Sequence, residues 1–186
     1  MHELNTFKLI ERISTLVRSE ERKRYAAIGL QPVHGQVLEY LAKCNRYSDT
    51  PAAVTEYLGS TKGTVSQSIQ VLERKNYIEK VPDTEDRRVV HLVLTEAGLE
   101  LINGLQPLEI FDQAEQQVSA QQFESIDDAL NVTLSALQAA NHSKSFGLCR
   151  TCRFFGEREN HFHCELTQSP LEQADTEKLC REHLPC

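Results

Sequence analysis

Apolar residues recur at helical spacing along most of this chain and at strand spacing in one short part of it. Between residues 3 and 28, Leu4, Phe7, Ile10, Ile13, Leu16 and Val17 fall on one side of a helix, so an amphipathic helix opens the protein. A second helix is predicted from Val33 to Lys43, after Pro32, with Val37, Leu38 and Leu41 turned inward. Asp49 or Thr50 caps a short third helix that carries Pro51 in its first turn and stops at Gly59. "STKGTVSQSIQVLERKNYI" opens a fourth almost at once. There Val65, Ile69 and Leu72 make a buried face, and Lys62, Thr64, Gln67 and Gln70 lie opposite. Two β-rich runs, "YIEKVP" and "VVHLVLT", are joined by "DTEDRR", a connection of hairpin length. In the second run Val90, Leu92 and Leu94 share one face, and Val89, His91 and Val93 the other. Beyond Thr95, Leu99, Ile102, Leu105 and Leu108 continue a helix, and Phe123, Ile126, Leu130, Leu134 and Leu137 form a further apolar stripe.

These elements predict a mainly α fold with a small β-hairpin (α+β). Two short helices joined by a tight turn, the second with a polar outer face, are what a helix-turn-helix requires. A hairpin directly after the reading helix, with Arg87 and Arg88 near its tip, fits a DNA-binding wing whose arginines enter a minor groove. The bland alternative is a solvated helix pair and a charged turn in which Asp83, Glu85 and Asp86 pair with the arginines. The combination favours DNA reading, with Thr61, Lys62, Thr64, Ser66, Gln67, Gln70, Arg87 and Arg88 as the candidate contacts and residues 50–95 as the reading part.

Charge at first opposes this, since the formal net charge is −7. The distribution restores it. Val89 to Ser143 contains no Lys or Arg, whereas Arg18, Arg22, Lys23, Arg24, Lys62, Arg74, Lys75, Lys80, Arg87 and Arg88 gather earlier. DNA affinity follows a local basic surface rather than the whole-chain sum.

Residues 1–140 resemble the MarR family of winged-helix transcriptional regulators. "DTEDRRVVHLVLTEAG", Asp83 to Gly98, is similar to the family's wing signature, and "TVSQSIQVLERKNYI" to its recognition helix and following turn. Asn76 stands where the family usually has Gly, and Asn tolerates the left-handed conformation that such a turn needs. Gln67 stands where many members carry Arg, which shifts the preferred base from guanine towards adenine. The resemblance implies a homodimer built on long terminal helices, a pseudo-palindromic double-stranded DNA site, and control by a small phenolic or other ligand at the dimer–wing junction. The long amphipathic helices support the dimer independently, because the small winged domain leaves them little to cover.

The tail is of another kind. After a polar linker, residues 141–148, the 38 residues from Cys149 to Cys186 hold too few aliphatics for a core and need a metal or cross-links. Cys149 and Cys152 form C-x-x-C, and Cys164 and Cys180 follow after 11 and 15 intervening residues. These four are the candidate metal ligands, with His163 and His183 as alternates; Cys180 and His183 form a C-x-x-H pair. The donor set suits a closed tetrahedral Zn²⁺ site or an iron–sulfur cluster. Phe154, Phe155 and Phe162 either shield that centre or dock the module onto the rest. Cys44 reads as a buried small residue and Cys186 as a terminal non-ligand.

No run approaches the roughly 20 apolar residues that span a bilayer, and the N-terminus lacks a signal-peptide pattern, so a cytoplasmic protein with reduced cysteines is expected. Neither a substrate-pocket motif nor a phosphate-binding glycine loop occurs, which sets aside an enzyme using metal-bound water. The expectation is a DNA-binding regulator whose cysteine module either senses redox or metal state or is structural.

Overall fold

The computed structural model describes residues 5–84, 86–105, 108–116, 118, 120–158 and 161–186. Leu4 and Glu85, named above, lie outside the described residues. Helix α1 (Thr6–Ala27) starts at Asn5, whose side chain accepts from the Lys8 amide. Helix α2 (Pro32–Lys43) begins one residue earlier than expected, because proline suits the first helical turn, where its missing N–H leaves nothing unpaired. Thr50, not Asp49, caps α3 (Pro51–Tyr57) by accepting from the Ala53 amide, and Thr61 caps α4 (Lys62–Arg74) through the Thr64 amide. Strands β1 (Ile78–Pro82) and β2 (Val90–Leu94) pair antiparallel, Ile78 opposite Leu94 and Pro82 opposite Val90.

The core sits where α1, α2, α3, α4 and the hairpin meet. Val37, Leu38, Val65, Ile69, Leu72 and Leu92 are buried, as their spacing predicted. Tyr25 and Tyr40 join them with essentially no exposure. Helix α2 crosses Tyr25 so closely that a Cβ on Gly35 would lie 2.0 Å from the ring, so only glycine allows this approach.

After Thr95 the chain departs from the sequence expectation. Helix α5 (Glu96–Asn103) ends before Gly104, and Leu108 has extended backbone at the start of α6 (Glu109–Glu115). Leu105 and Leu108 therefore do not continue the helix of Leu99 and Ile102. Gly104 and Pro107 close together in sequence make an unbroken helix costly. Helix α7 (Ala120–Ala140) follows. Its Leu130 and Leu134, like Ile13 and Leu16 of α1, are about half exposed in the single chain.

The tail forms small sheets: β3 (Gly147–Leu148) with β7 (Leu179–Cys180), and β4 (Phe155–Arg158), β5 (His161–Cys164) and β6 (Ser169–Leu171) in order. A 3-10 turn, Cys149–Thr151, and the short α8 (Gln173–Thr176) complete it. Residues 147–148, read from sequence as linker, are already strand, and Phe146 before them is buried against Tyr40 and Tyr57 at ring-centroid distances of 6.1 and 5.2 Å. No described helix is long and apolar enough to cross a membrane.

Candidate nucleic-acid interface and thiol centre

Helix α4 presents Thr61, Lys62, Thr64, Ser66, Gln67 and Gln70 to solvent, while Val65, Ser68, Ile69 and Leu72 face inward. The polar face is therefore free of packing duties, and its axis is anchored from behind. Asn76 ends the following turn at φ +59, the left-handed conformation expected of it. Gly98 fits the same turn from α5: a Cβ there would lie 2.1 Å from the Tyr77 carbonyl oxygen.

The two hairpin arginines are not equivalent. Arg88 forks onto Asp86, Nε to Oδ1 at 2.9 Å and Nη2 to Oδ2 at 2.8 Å. Arg87 is exposed and makes no ion pair among the described residues. Asp83, expected as an arginine partner, instead accepts from the Asp86 amide at 2.7 Å and meets His91 Nε2 at 3.1 Å. The pairing alternative is thus true for Arg88 and Asp86. Lys80 is also taken, by Glu73 at 2.6 Å, and Arg24 by Glu39 at 2.7 Å.

His91 bridges the hairpin to the α2–α3 connection, its Nδ1 2.5 Å from Asp49 Oδ1. That hydrogen bond, helped by Asp83, holds the imidazole pKa above its ordinary value, although partial burial works against it. Burial pushes the Asp49 carboxyl up despite His91. Both directions favour retention of a proton by this pair. The Leu92 amide donates to the Asp49 carbonyl at 2.7 Å, a second tie at the same place.

The four cysteines of the sequence expectation line one cavity of about 20 Å³, together with Asn45, Phe154, Phe155, Leu166 and Leu171. The 3-10 turn brings Cys152 back over Cys149, its amide donating to the Cys149 carbonyl at 3.0 Å. Cys164 enters from the end of β5, opposite Phe155, and Cys180 from β7. N–H groups surround the sulfurs: Asn45 Nδ2 is 3.8 Å from Cys149 Sγ and the Leu184 amide 3.5 Å from Cys152 Sγ. The Cys149 thiol hydrogen-bonds Cys180. This holds Cys180 down to about 6, with further help from Asn45, the Glu182 amide and Ser48 against burial. The same bond and burial push Cys149 up. The thiols are gathered rather than converged: among the described residues no three His, Cys, Asp or Glu side chains stand as they would to hold a metal ion.

The histidine alternates are engaged elsewhere. His183 is buried, with Nδ1 2.8 Å from Ser145 Oγ and Nε2 3.0 Å from Thr151 Oγ1, and its ring packs against Gly147. His163 Nε2 meets Glu165 Oε1 at 2.7 Å. Neither lines the thiol cavity. Phe154 and Phe155 do cover the cavity, and Phe155 stacks on Phe162 at 5.5 Å. The docking role falls to Phe146, which the sequence reading did not single out. Cys44 is buried as expected, which pushes its thiol up to about 12. Cys186 is exposed.

Helix, turn, exposed helix and hairpin, flanked by two long helices, make a winged-helix fold. Residues 28–89 match the MarR family model. The chain is similar to the MepR protein of S. aureus, seen in a complex with DNA, at 28% identity and a TM-score of 0.60 over 73% of this chain and all of that one. Wild-type MarR of E. coli in its apo form shares the fold at 17% identity and a TM-score of 0.60, over 72% of this chain and 99% of that one. The HTH-type transcriptional regulator YwaE of Bacillus subtilis, itself uncharacterised, is 37% identical over 54 residues, 29% of this chain. The matched part spans only 32% of that relative's length. The cysteine tail falls outside the residues that the family model matches.

Proposed function

We propose that the chain is a DNA-binding transcriptional regulator that acts without catalysis, as a homodimer on a pseudo-palindromic duplex site. Helix α4 enters the major groove and Arg87 the adjoining minor groove. The observation that carries this reading is the division of α4 into an anchored apolar face and six exposed polar side chains, framed by an arginine-bearing hairpin. The likeness to MepR, solved with DNA, supports it. The test uses the full chain and a duplex selected from a random-sequence library, with binding read by fluorescence anisotropy. Replacing Gln67 and Gln70 by Ala should weaken binding about tenfold or more, since a bidentate base contact is worth about 1–3 kcal/mol. Unchanged affinity at unchanged helicity rules the reading out.

Dimer formation is supported by the apolar faces of α1 and α7, which the single chain leaves half exposed: Phe7, Ile13, Leu16, Ile126, Leu130 and Leu134. Leu134→Glu should then shift the protein to a monomer in analytical ultracentrifugation.

The gathering of four cysteines on one cavity supports a further part of the reading: Cys149, Cys152, Cys164 and Cys180 bind a metal centre, Zn²⁺ or an iron–sulfur cluster. Metal analysis with visible absorption distinguishes the two; four cysteines and no stoichiometric metal after anaerobic purification refute both. A small-molecule effector is the alternative means of control. A groove of about 460 Å³ at the hairpin base, lined by Arg46, Tyr47, Asp49, Asp83 and His91, is open to one.

A further inference from the structure

The thiol centre does not sit at the end of a free tail. It sits on the α2–α3 connection, residues 44–50, which leads into the first helix of the helix-turn-helix. Asn45 is 3% exposed and Ser48 fully buried, so neither can exchange its partners for water. Asn45 donates from its side chain to Cys149 and from its backbone to the Leu179 carbonyl, the latter at 2.9 Å. Ser48 Oγ donates to Asn45 Oδ1 at 2.7 Å and accepts from the Arg181 amide at 2.8 Å. Cys180 is therefore flanked on both sides by residues whose backbone is bonded to this connection. A ligand that fixes Cys180 fixes both bonds.

The connection passes the constraint on in three directions. The Ser48 carbonyl accepts from the Tyr40 hydroxyl of α2 at 2.7 Å. Asp49 holds the hairpin through Leu92 and His91. Thr50 caps α3, and Arg181 reaches the same helix with a two-pronged pair to Glu56, at 2.7 and 2.6 Å. Against this, the segment from Leu179 onward has weak means of its own. It has a two-residue strand, few aliphatic side chains, and a half-buried sulfur at Cys180.

We propose that a metal held by Cys149, Cys152, Cys164 and Cys180 is a latch on the helix-turn-helix, whose occupancy fixes the 44–50 connection through Asn45 and Ser48 and thereby the seating of α3 and the hairpin. The proposal rests on the metal reading above and deepens it. With the centre loaded, all partners of Asn45 and Ser48 are in place. When it is lost, the 179–181 segment keeps only its short pairing with β3 and the Arg181–Glu56 ion pair. Two buried polar side chains then lose partners together, and the connection opens or rearranges. Linkage makes the effect mutual, so DNA that selects the latched connection tightens metal binding by the same factor that metal tightens DNA binding.

Hydrogen–deuterium exchange on the full-length dimer tests this. One sample is loaded anaerobically with stoichiometric Zn²⁺, a second reconstituted with iron and sulfide, and a third stripped by chelator. Loading with the metal that binds should slow exchange of amides in residues 44–58 at least tenfold and leave those of α7 unchanged. In Asn45→Ala, compared with the parent at equal metal content, this protection should be largely lost. If neither zinc nor iron binds at one centre per chain, the metal reading fails and the latch with it. If metal binds but exchange in residues 44–58 is the same loaded and stripped, the latch alone is overturned. That comparison needs only the unmutated protein, so a misfolded Asn45 variant does not blunt it.

Discussion

The Thr95 hydroxyl donates to the Asn76 carbonyl at 2.6 Å, locking the end of β2 to the left-handed turn that follows α4. The same Oγ1 accepts from the Gly98 amide and so starts α5. One hydroxyl thereby ties the reading helix, the hairpin and the first helix beyond them. Gly98 is part of this joint because the Tyr77 carbonyl lies where its Cβ would be, at 2.1 Å. Gly98→Ala must push backbone against backbone, and should destabilise the fold by about 1–3 kcal/mol. Urea unfolding followed by circular dichroism checks it. A neutral substitution would mean that α5 can slide away from the turn at little cost.

The unequal pairing of the wing arginines gives an asymmetric result on DNA. The Arg87 guanidinium pairs with no carboxylate among the described residues and is exposed for phosphate or groove contacts, whereas Arg88 must first release Asp86. Arg87→Ala should lower affinity and reduce the slope of log K against log salt by about one, as expected for one lost phosphate contact. Arg88→Ala should do less on both counts, and Asp86→Ala should strengthen binding slightly. Salt titrations of the three variants on one duplex would show the order. If Arg88 matters more than Arg87, the hairpin tip rearranges on the DNA.

How much of this could be read in the chain depended on the range of the interaction. Val65, Ile69 and Leu72 announce the buried face of α4 by spacing alone, because a helix repeats its geometry every 3.6 residues. The left-handed Asn76 is legible for a similar local reason. The four cysteines are recognisable by type and by one short spacing. What escaped is what distance in sequence hides. Asn45 meets Cys149 across 104 residues, and no pattern in the connection marks Asn45 as the floor of a thiol cavity. His183 looks like a ligand from its C-x-x-H spacing, yet Ser145 and Thr151 occupy both its ring nitrogens. Continuity of the stripe from Leu99 to Leu108 suggested one helix, because apolar spacing outweighed the breaking tendency of Gly104 and Pro107.

The His91 bridge makes the hairpin base sensitive to pH. Its folded pKa lies above the ordinary value near 6.5 through the hydrogen bond to Asp49, with Asp83 adding to it. A raised folded pKa stabilises the protein fully below the unfolded value, and that stabilisation is lost as pH rises through the folded one. The stability advantage of the parent over His91→Gln should therefore be larger at pH 6 than at pH 9. Thermal unfolding of both proteins at the two values tests this, and an advantage that grows with pH would mean that the imidazole is neutral in the fold.

Phe146 gives the sharpest test of how the tail is held. Its ring lies edge-on to both Tyr40 and Tyr57, while its backbone sits at φ +48, a conformation that residues other than glycine adopt at a cost. The strain persists because the buried ring offsets it. Phe146→Ala removes the ring and keeps the strain, so the loss should be about 3 kcal/mol, at the low end for a buried phenylalanine because the site borders solvent. Phe146→Gly removes both. It should recover about 1 kcal/mol relative to Ala, the reverse of the usual ranking of these two residues. Equilibrium unfolding gives the ranking, and limited proteolysis within 141–148 should follow the same order. If Ala proves more stable than Gly, the left-handed backbone at this position relaxes once the ring is gone, and the ring alone was holding it there.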